Sequence, residues 1–152
     1  FLSLPNHLSI SNKRHNGFLQ AMHTHQYKKT DIITITCDLN EKENRKKILK
    51  LLKGKRRPDG IFASVEKLAL TVYDVCQELQ LRIPEDVKLL GFSKLHAANY
   101  LNPSLTTITQ PAYEIGQSAA STLFRIIDKR GLDYPPEKLI LSSVLIERAS
   151  TG

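Results

Sequence analysis

The sequence has no tryptophan, one methionine and two cysteines among its 152 residues. Two cysteines, Cys37 and Cys76, are too few for a disulfide framework, and we interpret them as small buried apolar side chains of a reduced compartment. No apolar run approaches the roughly 20 residues of a membrane span, so we expect no membrane contact. Residues 1–5 are too short for a signal sequence. These absences predict a cytoplasmic protein.

The motifs of common catalytic and metal sites are also missing. The segment at residues 54–60 lacks the spacing and the Lys-Ser/Thr end of a phosphate-binding loop. His23 and His25 are two positions apart, so on a helix they point in different directions and chelate one metal poorly. No serine lies in the glycine-flanked turn of a hydrolase nucleophile. We therefore expect no enzyme activity, no cofactor and no metal.

The chain does have an ordinary globular composition with an excess of positive charge. It is 41% hydrophobic and 24% charged, and its formal net charge is +7, which favours acidic partners such as nucleic acid. Much of the excess lies in residues 44–58, where apolar residues at Ile48, Leu49, Leu51 and Leu52 predict an amphipathic helix. We interpret these charges as a solvated helix face, because no aromatic residues are interleaved to stack on bases.

Strand and helix patterns alternate through the first two thirds of the chain. Short apolar segments predict strands at residues 1–4, 32–37, 60–63 and 87–92. A polar loop at residues 6–12 precedes helical spacing to about residue 26, a second helix is expected at 41–53, and Ser64 can cap a third. Its predicted apolar face consists of Leu68, Val72, Val75, Cys76 and Leu79.

This alternation predicts an α/β fold, with a doubly wound parallel sheet and helices on both faces. In such sheets the ligand crevice lies outside the carboxyl ends of the strands. That rule places residues 5–14, 38–40, 64–67 and 93–99 around one site.

The pattern changes after residue 104. Residues 105–109 are a brief extended piece, and Pro111 suits the first turn of a helix. That helix is predicted to end near Gly131, and a last strand is predicted at residues 138–145. The helix carries an apolar stripe of Ile115, Ala119, Leu123 and Ile127.

Six segments carry a resemblance when they are taken in order. They are KRHNGFLQAM (13–22), RPDGIFASVEKLAL (57–70), RIPEDVKLLGF (82–92), NPSLTTITQP (102–111), YEIGQSAASTL (113–123) and LIERAS (145–150). In this order and spacing they resemble the effector-binding region of LacI/GalR-type bacterial transcription regulators. The resemblance implies a fold like that of periplasmic sugar-binding proteins, with two α/β subdomains, a hinge and a small ligand in the cleft.

The resemblance also implies a division of the chain. Residues 1–104 match the C-terminal effector-binding subdomain, residues 105–130 the hinge crossover and a helix that packs on the N-terminal subdomain, and residues 131–152 the return strand and tail. We expect the chain to lack most of the N-terminal subdomain and the helix-turn-helix domain through which such regulators bind DNA. We also expect a homodimer, and docking of the 105–130 helix against another chain.

Candidate ligand residues follow from the resemblance position by position. Arg14 matches the arginine that family members place before Gly-Phe to reach the effector, and its planar fork suits hydroxyl, carboxylate or phosphate groups. The alternative for Arg14 is a solvent-exposed position at the helix start. Gln110 matches a hinge position that touches ligand or bonds backbone, and Leu39 falls where an aromatic residue often stacks on the ligand.

Three further positions depart from the family pattern. Ser93 stands where many members carry an aspartate, while Val65 and Glu66 replace a frequent Asn-Asp or Gly-Asp pair. Because the arginine is kept and the aspartate is lost, with Lys67 and Lys94 at the same rim, we expect an anionic effector such as a phosphorylated or acidic sugar. A degenerate pocket that serves only dimerisation is the alternative.

Other function classes fit less well. A phosphoacceptor receiver domain shares a parallel sheet of this size but needs paired acidic residues after the first strand, and LPNHLS offers none. An exported solute-binding protein of the sugar-binding type, or a small sugar enzyme, lacks support because neither a signal sequence nor catalytic carboxylates are visible. The sensory region of a transcription regulator is the preferred interpretation.

Overall fold

The computed structural model describes residues 1–5, 7–94, 96–128 and 138–152. Its centre is one sheet of six strands: β1 (Leu2–Ser3), β2 (Ile35–Thr36), β3 (Gly60–Ala63), β4 (Lys88–Phe92), β5 (Thr106–Thr109) and β6 (Val144–Ile146). The strand order is β2-β1-β3-β4-β5-β6, with β6 antiparallel to β5 and the other pairs parallel. The predicted doubly wound α/β fold is therefore confirmed.

The helices follow their predicted order along the chain. They are α1 (Ser9–Thr24), α2 (Glu41–Lys53), α3 (Glu66–Glu78) and α4 (Ala112–Asp128), with short 3-10 helices at Lys29–Asp31, His96–Asn99 and Ala149–Thr151. At the start of α2, the Asn40 side chain accepts a hydrogen bond of 3.3 Å from the backbone N–H of Glu43. Acidic residues lie in its first turn and lysines in its last turn, the order that the helix dipole favours. Both bounds of α2 match the prediction.

One face of the sheet forms the core together with α2 and α3. Leu68, Val72 and Val75 of α3 are at most 2% exposed, as their helical spacing predicted. Gly91 of β4 lies so close to α3 that a Cβ atom there would be 3.3 Å from the Cβ of Ala69. Both cysteines are buried, which also agrees with the sequence-based interpretation.

The opposite face carries a row of aromatic rings beneath α1. Phe1 stacks on Phe18 of α1 at 4.9 Å between centroids and meets Phe62 of β3 edge-on at 5.2 Å. Phe62 in turn stacks on Phe92 of β4 at 6.3 Å. Four of the five phenylalanines thus form one row that ends near the carboxyl edge of the sheet. Sequence spacing does not predict this row, because its members come from separate elements.

Several predicted bounds are wrong. The first helix, α1, begins at Ser9, inside the segment expected to be a loop. Strand β2 covers only part of the predicted strand at 32–37, and β6 is shifted and shortened relative to 138–145. Both are edge strands with a single neighbour, so their ends lack the second row of hydrogen bonds that supports a central strand.

The last helix, α4, has no buried residue along its described length. In its predicted apolar stripe, Ile115 is 45%, Leu123 55% and Ile127 59% exposed. The predicted end of this helix near Gly131 lies outside the described residues. The stripe is therefore available to a partner surface.

Polar contacts fix the segment after β6 to the central strands. The Ser150 hydroxyl donates to the Leu89 carbonyl at 2.6 Å and accepts from the Thr106 backbone N–H at 2.8 Å. Arg148 Nη1 donates to the Leu105 carbonyl at 2.7 Å. These contacts tie the C-terminal segment to β4 and β5.

Candidate functional site

The candidate site lies where the strand order of the sheet reverses. The chain passes from β1 to β2 at one edge and then to β3 on the other side of β1. In open α/β sheets, ligands bind in the crevice outside the carboxyl ends of the strands at such a switch point. The segments after β1, β3 and β4 border this crevice. The side chains of the candidate site either lie in these segments or extend toward them.

Arg14 extends from α1 to the ends of β3 and β4. Its Nη1 donates a hydrogen bond of 2.7 Å to the carbonyl oxygen of Ser64, and its Cζ lies 3.9 Å from the centroid of the Phe92 ring. A guanidinium over an aromatic face is electrostatically attracted to it, while desolvation by burial lowers the pKa of Arg14 from its usual value. Arg14 is thus partly buried and oriented, and the alternative of a solvent-exposed arginine does not hold.

Two polar atoms beside this contact have no hydrogen-bond partner among the described residues: Nε of Arg14 and Oγ of Ser64. Ser64 is only 1% exposed. Buried polar groups are nearly always bonded, and an unpaired one costs about 1–3 kcal/mol. The predicted cap by Ser64 is wrong, because Val65 occupies the N-cap position of α3 without a side-chain bond. A polar ligand or water that pairs with these atoms removes the cost.

Glu66 and Ser93 form the second polar contact of the site. The Ser93 hydroxyl donates to Oε2 of Glu66 at 2.5 Å, and Ser93 is 7% exposed. The backbone N–H of Ser93 donates to the Ile108 carbonyl at 3.1 Å, which fixes Ser93 relative to β5. The sequence treated positions 66 and 93 as separate departures from the family pattern, whereas the structure joins them.

The rim of the site is less positive than the sequence predicted. Lys67 forms an ion pair with Glu41 of α2, and Glu66 adds a carboxylate on Ser93. Lys94 is exposed at the same edge. The expectation of a positive pocket rested on the retained Arg14, the lost aspartate at position 93 and the two lysines, and the ion pair of Lys67 and the carboxylate of Glu66 reduce this positive charge.

The remaining predicted ligand residues are Leu39, Val65 and Gln110. Leu39, after β2, is 94% exposed, and Val65 packs partly buried against the core. Gln110 follows β5 and accepts a 2.9 Å backbone hydrogen bond from Ala112. None of the contacts among described residues joins these three to Arg14, so their ligand contact stays a prediction.

Two large clefts lie away from the carboxyl edge. One of about 720 Å³ opens at the amino ends of β1 and β3 and is lined by apolar residues that include Phe18, Met22 and Ile33. Another of about 680 Å³ lies beside α3, between Tyr73 and Pro103. Size favours these clefts, but among the described residues the buried unpaired polar atoms lie only at the carboxyl edge. We therefore assign the candidate site to the carboxyl edge.

The described residues offer binding groups rather than a metal centre. They contain no group of three or more His, Cys, Asp or Glu side chains able to hold a metal ion. No helix in the same part of the chain is both long and apolar enough to cross a membrane. What the site provides is a donor, Arg14, and an acceptor, Glu66, beside buried hydroxyl groups.

Comparison with known proteins establishes the family. The profile of the periplasmic binding protein-like domain matches residues 2–151. The chain belongs to this family. The match covers every element of the sheet and the whole of the candidate site.

Three relatives place the chain within the family. The HTH-type transcriptional repressor PurR of Yersinia enterocolitica is 31% identical over 140 residues, which are 91% of this chain and 40% of that protein. A LacI family transcriptional regulator from Enterococcus faecalis V583 with bound ribose has a TM-score of 0.79 and 30% identity, covering 99% of this chain and 53% of that one. A regulatory protein of the LacI family from Chloroflexus aggregans has a TM-score of 0.86 and 29% identity, with coverages of 99% and 54%.

The resemblance to LacI-type effector-binding regions is thus confirmed. All three relatives are regulators rather than enzymes. The chain spans about half of their length, or less.

Proposed function

We propose that this chain forms the effector-sensing part of a LacI-type, DNA-binding transcription regulator, with a small sugar-like effector bound at Arg14. The observation that carries the proposal is the pair of buried, unpaired polar atoms on Arg14 and Ser64 at the switch point of a periplasmic binding protein-like fold. The ribose bound to the Enterococcus faecalis relative supports a ligand with several hydroxyl groups.

In the proposed regulator, residues 1–104 are the C-terminal effector-binding subdomain. Residues 105–130 are the hinge crossover and the helix that packs on the N-terminal subdomain, and residues 131–152 are the return strand and tail. The exposed apolar stripe of α4 supports this division, because soluble proteins seldom leave such a surface without a partner. The regulator is a cytoplasmic homodimer that contacts DNA through a separate helix-turn-helix domain.

The proposed mechanism couples effector binding to DNA affinity. Contacts from both subdomains favour the closed cleft, and the operator affinity changes by the same coupling free energy. Arg14 contributes from one side of the cleft by donating hydrogen bonds to effector oxygens. Its two existing contacts hold the guanidinium in place before the effector arrives, which reduces the entropy lost on binding.

The effector of this proposal is a sugar or a sugar derivative. An anionic effector would fit Arg14 but would meet the carboxylate of Glu66, which Ser93 holds at the same edge. The preference for a phosphorylated or acidic sugar rested on the retained Arg14, the aspartate lost at position 93 and the lysines at the rim; the Glu66 carboxylate and the Lys67–Glu41 ion pair weigh against it.

Isothermal titration calorimetry on the complete protein that carries this chain tests the proposal. The panel contains neutral sugars, sugar phosphates, sugar acids and nucleobases. We expect a sugar or sugar derivative to bind, and Arg14→Met to weaken that binding at least about tenfold, because hydrogen bonds to a charged group contribute about 1.5–3 kcal/mol.

Lys13→Met is the matched control, because Lys13 is the exposed neighbour of Arg14 on α1. It should leave the affinity unchanged, and circular dichroism should show both variants folded. Failure of every panel member to bind, or equal affinity in Arg14→Met and the unmodified protein, would contradict the proposal.

A further inference from the structure

Glu66 supplies a carboxylate to the site, next to position 93, where the family's aspartate is replaced by serine. It lies in the first turn of α3, where the helix dipole favours a negative charge. The Ser93 hydroxyl donates to Oε2, so the carboxylate is oriented by β4 as well as by its own helix. Glu66 is therefore a placed group of the site rather than a freely moving surface side chain.

The charge of Glu66 is not neutralised by an ion pair among the described residues. Its neighbour Lys67 pairs with Glu41 instead, and the other ion pairs of the described chain do not include Glu66. An ionised carboxylate accepts hydrogen bonds at about four lone-pair positions, and the Ser93 hydroxyl occupies one. The remaining positions can accept from a ligand.

Arg14 and Glu66 require opposite hydrogen-bonding groups on a ligand, an acceptor for Arg14 and a donor for Glu66. Arg14 only donates hydrogen bonds, and Glu66 in its ionised form only accepts them. A hydroxyl group satisfies both, because it accepts through its lone pairs and donates through its proton. A phosphate dianion satisfies Arg14 but has no proton to donate, and its charge repels Glu66.

We propose that Glu66 is a specificity-determining residue, which accepts a hydrogen bond from a ligand hydroxyl and so selects uncharged polyhydroxy ligands over their phosphorylated forms. This inference rests on the proposed function, since it concerns the ligand of the same site. Ser93 is a positioning residue, because it acts by holding the Glu66 carboxylate toward the crevice.

The test is calorimetric titration of the complete protein with two matched pairs of probes, ribose with ribose 5-phosphate and glucose with glucose 6-phosphate. We expect at least one neutral sugar to bind at least about tenfold more tightly than its phosphate. Glu66→Gln should weaken binding of that neutral sugar about 10- to 100-fold, because a charge-assisted hydrogen bond is lost. The preference over the phosphate should shrink in the same variant.

Two further variants separate a specific effect from a structural one. Glu85→Gln removes the same charge from an exposed position near the amino end of β4 and should leave all affinities unchanged. Ser93→Ala keeps the charge of Glu66 but removes its donor, so it should weaken the neutral sugar less than Glu66→Gln while preserving the preference over the phosphate. Ser93→Thr restores a hydroxyl and should restore the affinity.

The possible results distinguish this inference from the proposed function. A phosphate that binds as tightly as its neutral sugar, or a Glu66→Gln affinity within twofold of the unmodified protein, overturns the inference alone. Binding confined to sugar phosphates does the same, whereas binding confined to nucleobases also contradicts the sugar-like effector of the proposed function. Absence of binding by every sugar, phosphate, acid and nucleobase contradicts the proposed function itself.

Discussion

Two charged side chains, Arg14 of α1 and Glu66 of α3, are held near the ends of β3 and β4. The guanidinium of Arg14 is held by the Ser64 carbonyl and the Phe92 ring, and the carboxylate of Glu66 is held by Ser93. Each charged group is therefore oriented before a ligand arrives. Substitution of either group should affect ligand affinity more than folding, because neither takes part in the apolar core.

The buried hydroxyl of Tyr73 on α3 should make the free energy of unfolding depend on pH. Its hydroxyl donates to the Pro103 carbonyl at 2.7 Å, and burial raises its pKa to about 12. The folded pKa exceeds the unfolded value of about 10, so this stabilisation is complete below about pH 10 and is lost as the pH rises toward 12. Tyr73→Phe should lower the free energy of unfolding by about 1 kcal/mol at neutral pH and should make the alkaline decline shallower.

Urea unfolding at a series of pH values between 7 and 12 measures this effect. Cys76, whose pKa burial raises to about 11, contributes to the alkaline decline in both proteins. Tyr100→Phe is the matched control, because Tyr100 is 86% exposed and should not change the profile. Equal alkaline slopes in Tyr73→Phe and the unmodified chain would disprove the role given to Tyr73.

At the scale of the elements, the packing of α3 on β4 depends on a missing side chain. A Cβ atom on Gly91 would lie 3.3 Å from both the Ala69 Cβ and a Leu105 methyl group, and both neighbours are fully buried. Gly91→Ala should therefore destabilise the fold by about 1–3 kcal/mol through overpacking. The readout is the urea midpoint of unfolding.

Gly60 provides the matched control for Gly91. It lies in the neighbouring strand β3, and a Cβ atom there would have nothing within 4 Å. Gly60→Ala should leave the free energy of unfolding within about 0.5 kcal/mol of the unmodified chain. If Gly91→Ala and Gly60→Ala unfold at the same urea concentration, the close approach of α3 to β4 is wrong.

The exposed apolar stripe of α4 predicts that the chain self-associates. In solution the 152-residue chain meets only copies of itself, so we expect it to self-associate at high micromolar concentration through this stripe. The double variant Leu123→Lys, Ile127→Lys should be monomeric by light scattering. Ser121→Lys, on the opposite side of the helix at 100° per residue, should associate like the unmodified chain.

A clean monomer of the unmodified chain at high micromolar concentration would contradict this expectation. So would equal association of the Leu123, Ile127 double variant and the Ser121 variant, because that result would place the contact elsewhere.

The sequence predicted some elements well because their signals are local. The bounds of α2 follow from Asn40 before the helix and Gly54 after it, and β4 follows from a short apolar run. The ends of β2 and β6 could not be predicted, because edge strands depend on pairing with a distant neighbour. The same limit applies to the site. The place of Arg14 in the sequence marked it as a candidate ligand residue, but its contact with Ser64 joins residues 50 positions apart and could not be predicted.

The bond between Ser93 and Glu66 is the main feature that sequence reasoning missed. The two residues are 27 positions apart, and each was interpreted separately as a lost polar contact. Only the register of β3 on β4, with Ala63 opposite Gly91, brings the segments that follow these strands side by side. A search for complementary polar residues after adjacent parallel strands would have found the pair.

At the scale of the whole molecule, two regions of the surface could receive a ligand, one at each edge of the sheet. A cleft of about 720 Å³ at the amino edge is lined by apolar and charged residues, whereas the buried unpaired polar atoms of the described residues lie at the carboxyl edge. The family and the switch point of the sheet both favour the carboxyl edge. The effector should therefore bind at the carboxyl edge, away from the cleft at the amino edge.

A crystal structure of the complete protein with its effector bound would show which edge of the sheet holds the effector. We expect effector oxygen atoms within hydrogen-bond distance of the Arg14 guanidinium and of the Glu66 carboxylate, with Phe92 still beneath Arg14. An effector bound in the amino-edge cleft beside Phe18 and Met22, or one that contacts neither Arg14 nor Glu66, would contradict it.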